Sequence, residues 1–322
     1  MSSGGVRGEP ESPGASYDVS MKLAALALVH VALSGAPDPG SSASVSIVPD
    51  RVRPGDAFLV LVRGASAPPT AIVAGRALSF FQTPDGFSAV GGLPVETPAG
   101  RLTFGVALPP TAGADAGASE CQGTLDVTAP EFPHRQLEVE SRFVAPPPTA
   151  VRMRIAEDRA ALASAFARAP TLPLFSAPFS WPRRDRIAAG FGEQRTLNGT
   201  KPSQHYGLDL AGKMGAPVAA ANAGEVVLVR DCWASGNTVV LGHGASLYTT
   251  YLHLSRVFVS EGAHVARGQL IGLVGKSGRA SGPHLHWGTK VGDLYVDPES
   301  VLRLPLGQVG LQTTGYGLRA SP

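Results

Sequence analysis

HYGLDL, His205 to Leu210, sets a histidine and an aspartate four positions apart. A helix would bring them to one face, but Gly207 between them disfavours a helix. In an extended strand, positions i, i+2 and i+4 share a face. His205, Gly207 and Asp209 then form a row whose middle member has no side chain. A divalent ion could occupy that space; a plain His–Asp hydrogen bond is the alternative. SGPHLHWG, Ser281 to Gly288, sets His284 and His286 two apart. On a strand they point the same way while Leu285 faces the core. They could be two metal ligands, one ligand and one catalytic base, or two ordinary imidazoles. Side by side on an apolar face they would be costly without partners.

Together these residues offer three imidazoles and one carboxylate. Zinc in hydrolytic sites takes three protein ligands and keeps one position for water. Four groups for three positions leave one to act on that water. His253, in TTYLHLS, reads alone as a buried histidine on a strand; beside the others it becomes a candidate electrostatic helper. Arg195 and Asn198, in EQRTLNG, could line a substrate groove or make simple loop contacts. His243 in LGHG reads as a structural residue at a turn, and His264 in EGAHVARGQ as solvated.

The elements that must position these groups are short and β-rich. From Arg186 onward Gly and β-branched residues dominate, and six of the eight histidines lie between His205 and His286. Strands are expected at 225–229, 238–241, 246–252, 270–274 and 284–290, with no helix. Residues 186–304 read as one compact antiparallel β domain. Upstream, residues 44–144 show short apolar runs between Gly, Pro and Asp turns. Candidate strands there include 57–62, 71–73, 79–81, 101–107, 123–127 and 136–144. Such a series predicts an immunoglobulin-like β-sandwich, although the Cys–Trp–Cys signature of that fold is absent. This region holds no cluster of chemistry-bearing residues and reads as a structural or spacing domain. Between the two, APPPTA (Ala145 to Ala150) is a stiff linker. Apolar residues Val151, Ile155, Leu162 and Phe166 follow at helical spacing, predicting one amphipathic helix over about 152–168 within the 145–185 connection.

The totals agree with a mainly β, two-domain protein. The chain has 322 residues, 43% hydrophobic and only 16% charged, with 39 Gly and 28 Pro. A net charge of +2 and the absence of Lys/Arg runs exclude a nucleic-acid surface. Met21 and Lys22 open the 11-residue apolar run Leu23 to Leu33, followed by Ser34, Gly35 and Ala36. Residues 21–36 therefore read as a secretory signal peptide, too short for a comfortable membrane span. The polar residues 1–20 read as disordered, and Met21, which opens this segment, is an alternative start to Met1. Ala36 stands where a bacterial lipoprotein signal needs Cys, so no lipid or transmembrane anchor is expected. The protein is expected to be exported and soluble in the periplasm or cell envelope, with residues 305–322 a tail. In that compartment a disulfide between Cys121 and Cys232 is permitted but not required.

Taken together, His-x-x-x-Asp, a later His and a final His-x-His, in that order, resemble the lysostaphin/LytM-type zinc metallopeptidases of bacterial cell walls. The resemblance runs from about Ile187 to Leu302. It is carried by FGEQR, HYGLDLAG, AAANAGEVVLV, GNTVVLGHG, TTYLHLS, GAHVARGQLIGLVGKSGRASGPHLHW and VDPESVL. It implies one Zn2+ per chain held by His205, Asp209 and His286. It implies His284 as general base, and His253 as the residue that orients the water or stabilises the oxyanion. The implied substrate is the peptide stems of peptidoglycan, with D-alanyl–meso-diaminopimelate the expected bond in a Gram-negative wall. Relatives that act only as activators of other wall hydrolases have lost these ligands, and this chain has not. GAHVARGQLIGLVGKSG also resembles lipoyl and phosphocarrier hairpins, but it lacks the exposed modified-Lys turn of a lipoyl domain, and a phosphocarrier would be cytoplasmic and need no signal peptide.

Overall fold

The computed structural model describes residues 43–109 and 119–307. The expected 1–20 segment, the 21–36 leader and residues 308–322 of the tail lie outside them. The protein is mainly β. Among the described residues, no helix is long and apolar enough to cross a membrane.

The N-terminal half is two β-sheets packed face to face. In the first, Ala57–Arg63 pairs antiparallel with Ser44–Val48 on one side and Gly86–Gly92 on the other, with Phe81–Thr83 outermost. The second runs Arg51–Val52, Ser119–Val127, Gly100–Leu108, Thr70–Val73, Arg76–Ala77. Strand alternation sends Phe58, Val60 and Val62 against Phe104, Val106 and Leu125 of the second sheet. Ala57 and Leu59 point the opposite way, into the core of the C-terminal half. AFLVLV is apolar at every position because both of its faces are buried.

Gly86–Gly92 is a strand the sequence pattern did not yield. Its glycines are demanded by packing. A Cβ on Gly91 would strike the Phe58 ring, and one on Gly92 would lie 2.5 Å from Val296. The expected strand 136–144 also differs. Only His134–Leu137 is extended, and it leaves the sandwich to pair in parallel with Gln194–Leu197. Ser141–Phe143 is a 3-10 turn. Cys121 and Cys232 are buried and unpaired.

The linking helix spans Thr149–Arg168, one turn earlier than expected, because Pro148 precedes it without entering it. Its Ala161, Leu162, Ala165 and Phe166 cover Val227, Leu228 and Val240 of the C-terminal sheet. Buried Asp158 fastens it there, accepting from Arg230 Nε at 2.7 Å and from the Trp233 amide at 2.8 Å.

The C-terminal half is an antiparallel sheet ordered Ile187–Ala189, Leu208–Ala211, His284–Val291, Leu247–Leu254, Gly236–Gly244, Gly224–Cys232, His264–Val265, with Leu294–Val296 also on His284–Val291. A three-stranded sheet of Pro217–Ala219, Leu270–Leu273 and Arg256–Val257 lies beside it. The short helix Pro298–Arg303 was not anticipated, although VDPES carries its start signal. Asp297 caps it by accepting from the Glu299 amide at 3.0 Å, and Pro298 takes the first position. This helix is also where the two halves join. Arg53 Nη2 donates to Asp297 Oδ2 at 2.8 Å, the Ala57 amide to Ser300 Oγ at 2.8 Å, and the Asp297 amide to the Gly55 carbonyl at 2.7 Å.

Candidate metal centre

Strand register brings Asp209 to His286. Leu208–Ala211 and His284–Val291 are neighbours, with Asp209 directly opposite His286 and Ala211 opposite His284. His284 and His286 share a face, as the alternation predicted, while Leu285 and Trp287 between and beyond them are fully buried. His253 comes from the far end of Leu247–Leu254, the strand on the other side.

His205 arrives differently from the expectation. It is not in one continuous strand with Asp209. Lys201–Gln204 ends before it, and the chain bends through His205 to Gly207 before the next strand begins. Gly207 still makes room, but for another residue. A Cβ there would stand 2.6 Å from His286 Nε2 and 2.7 Å from the Trp287 carbonyl.

Three ligand atoms converge. His205 Nε2 lies 2.9 Å from Asp209 Oδ1 and 2.9 Å from His286 Nδ1, and His286 Nδ1 lies 3.0 Å from the same Asp209 oxygen. These three residues are the metal-compatible cluster among the described residues. His205 donates its Nδ1 hydrogen to the Gly190 carbonyl at 2.7 Å, which turns the Nε2 lone pair inward. Electron-rich atoms this close repel one another unless a cation or a proton lies between them. Bonds of 2.0–2.1 Å at tetrahedral angles would set such atoms about 3.3 Å apart. The nitrogen, nitrogen, oxygen set therefore fits a small divalent cation after slight expansion.

His284 borders this trio without joining it. Its Nε2 is 3.6 Å from Asp209 Oδ1, and its Nδ1 donates to the Gly282 carbonyl at 2.9 Å. His253 has its ring centre 4.9 Å from that of His284, and its Nδ1 donates to the Ser277 carbonyl at 2.8 Å. Its backbone sits at φ +63°, a left-handed conformation unusual for a residue with a side chain, and the neighbouring strands hold it there. Burial, with His286 and His284 close by, pushes the His253 imidazole down to about 3. Burial likewise lowers His286. Burial alone would raise Asp209, but hydrogen bonds from His205 and His286 hold its carboxyl well below the usual carboxylate range.

Arg195 reaches the site and Asn198 does not. Arg195 Nη2 donates to Asp209 Oδ2 at 2.8 Å, and its Nε donates to Glu193 Oε1 at 2.7 Å. The Asn198 carboxamide is committed to the backbone of Val139, accepting from its amide at 2.8 Å and donating to its carbonyl at 2.9 Å. Glu193, 2% exposed, was missed in the sequence. Its signal was present: an acid two residues from Arg195 on an extended segment shares its face. His243 is structural as expected, but it lies within strand Gly236–Gly244 rather than in a turn. It is fully buried between the Ala223 carbonyl and Thr249 Oγ1. His264 is exposed.

Comparison with known proteins places this geometry. The model of Peptidase family M23 matches residues 203–298, a span holding His205, Asp209, His253, His284 and His286. The peptidoglycan DD-endopeptidase ShyA of Vibrio cholerae is 45% identical over 103 residues, 32% of this chain and 24% of the relative. The DD-carboxypeptidase/endopeptidase Mpg of Neisseria meningitidis serogroup B is 38% identical over 97 residues, 30% of this chain and 22% of the relative. The aligned part thus spans under a quarter of the length of these two relatives. A crystal structure from Pseudomonas aeruginosa, of a protein assigned to peptidase M23, superimposes with a TM-score of 0.57 at 27% identity, covering 77% of this chain and 94% of that one. Sequence match, shared fold and the converging His–Asp–His cluster agree, and residues 203–298 are a domain of peptidase family M23.

Proposed function

We propose that this protein is a zinc metalloendopeptidase that cleaves peptide cross-links of bacterial peptidoglycan, D-alanyl–meso-diaminopimelate in particular. The observation that carries the reading is the convergence of His205 Nε2, Asp209 Oδ1 and His286 Nδ1, with His284 Nε2 held just outside. The names of the relatives, peptidoglycan DD-endopeptidases among them, support the substrate class.

His205, Asp209 and His286 are the residues that would hold one zinc ion. Bound there, zinc supplies Lewis acidity, bringing the pKa of water toward neutrality and polarising an amide carbonyl. The remaining work belongs to the chain. His284, with its Nδ1 hydrogen spent on Gly282, offers Nε2 as the acceptor for the water proton and returns that proton to the departing amine. His253 has its Nδ1 hydrogen on Ser277 and likewise turns an acceptor toward the site. We therefore assign it to orienting the water rather than to donating to an oxyanion. Leu285 and Trp287 seal the site from beneath. The leader-like residues 21–36 fit export to the envelope, where this substrate lies.

The test is digestion of peptidoglycan sacculi by the purified protein, with mass spectrometry of the released muropeptides. Loss of cross-linked dimers, stopped by chelator and restored by zinc, is the expected result. Persistence of the dimers with zinc-loaded protein would overturn the reading.

A further inference from the structure

The cluster at Asp209 does not end with its three ligand atoms. Asp209 Oδ2 accepts from Arg195 Nη2 at 2.8 Å; Arg195 Nε donates to Glu193 Oε1 at 2.7 Å; Arg135 Nε stands 3.3 Å from Glu193 Oε2. Arg135 lies in His134–Leu137, the strand that leaves the sandwich region, and it is the register partner of Arg195. Two cations directly opposite on adjacent strands repel. Glu193, 2% exposed, neutralises both, one oxygen for each. Arg135 is further tied down by its Nη1 hydrogen bond to the Ala188 carbonyl at 3.2 Å. All three residues lie outside the 203–298 match.

We infer that Arg195 is a positioning residue for the metal site, and that the linking strand is a working part of it: Arg135 and Glu193 hold Arg195 on the second oxygen of Asp209. The carboxylate is thereby left one oxygen, Oδ1, for the cation. Without Arg195, Asp209 is free to rotate and offer both oxygens, crowding the position that water needs. A fork-shaped guanidinium suits this task because it meets Asp209 and Glu193 with different nitrogens at once. The inference rests on the metal reading proposed above.

The test uses the full chain and zinc alone, titrated against a competing chelator, with the visible spectrum of the Co2+-loaded protein as a second readout. Wild type is expected to bind one ion. Arg195→Met should bind it about 10–100-fold more weakly, the range for removing a partner of a ligand. Its Co2+ bands should shift as Asp209 changes from one-oxygen to two-oxygen ligation. Arg135→Ala, a half-exposed and screened site, should weaken binding about two- to fivefold. The double variant Glu193→Gln/Arg195→Met removes both buried partners. It should regain thermal stability relative to Arg195→Met but not metal affinity, which a purely structural role would restore. If Arg195→Met does not fold, the double variant carries the test. Wild-type affinity and Co2+ spectrum in Arg195→Met, or in the double variant, would overturn the role of Arg195. Unchanged affinity in Arg135→Ala would overturn the role of the linking strand. Failure of wild type to bind zinc would instead remove the metal reading, and this inference with it.

Discussion

His286 Nδ1 lies 3.0 Å from Asp209 Oδ1, whereas His284 Nε2, two residues earlier on the same strand face, lies 3.6 Å from that oxygen and reaches neither other ligand atom of the trio within hydrogen-bond distance. The two histidines of the HLH segment are thus unequal, and they should fail differently. His286→Ala should lose stoichiometric zinc. His284→Ala should keep zinc and lose about 10²–10⁴ in kcat, the usual contribution of a positioned acid–base group. Metal content and turnover, measured on the same preparations, check the pair.

Gly207→Ala places a methyl group against His286 Nε2 and the Trp287 carbonyl. Neither neighbour can swing away, since one is a site residue and the other is backbone in a central strand. Stability should fall by about 1–3 kcal/mol, the cost of overpacking, and zinc affinity should fall with it. Chemical denaturation and a zinc titration measure the two effects separately.

His243 gives a stability change with a defined sign. Burial pushes its imidazole down to about 4, below the ordinary 6.5. The folded state therefore resists protonation. Stability from this group is full above about pH 6.5 and is lost as pH falls toward about 4, by roughly 2 kcal/mol between pH 7 and pH 4.5. His243→Gln should lower stability at pH 7 and flatten that fall. Urea unfolding of both proteins at the two pH values is the check.

Asp297→Ala removes a helix cap and the partner of Arg53 at one stroke. The cap alone is worth about 1 kcal/mol, and the mostly buried carboxylate it shares with Arg53 adds to that. The variant should unfold at a lower temperature, because it loses both the helix cap and one of the polar ties between the halves, while the apolar contacts of Ala57 and Leu59 keep the halves joined. Calorimetry of the variant and the wild type measures the fall.

Local pattern was enough for much of this protein. Period-two alternation put His284 and His286 on one face with Leu285 behind them. Apolar runs between turns located Ala57–Arg63 and the central strands of the C-terminal sheet. Helical spacing found the linking helix to within one turn. These features depend on neighbours in the chain, which is why they could be read there.

What depends on distant partners could not be. Gly86–Gly92 is a strand because Phe58 and Val296 need the space its missing side chains leave. His134–Leu137 belongs to the C-terminal half because its parallel partner, Gln194–Leu197, lies some 60 residues away. The residue types and their order determined that a His–Asp metal chemistry was on offer. Only tertiary structure decided which atoms meet: the register setting Asp209 opposite His286, the bend that delivers His205, and the carbonyls of Gly190, Gly282 and Ser277 that aim each ring. Cross-strand register and ring orientation come from contacts far apart in sequence, and a spacing along the chain carries no record of them.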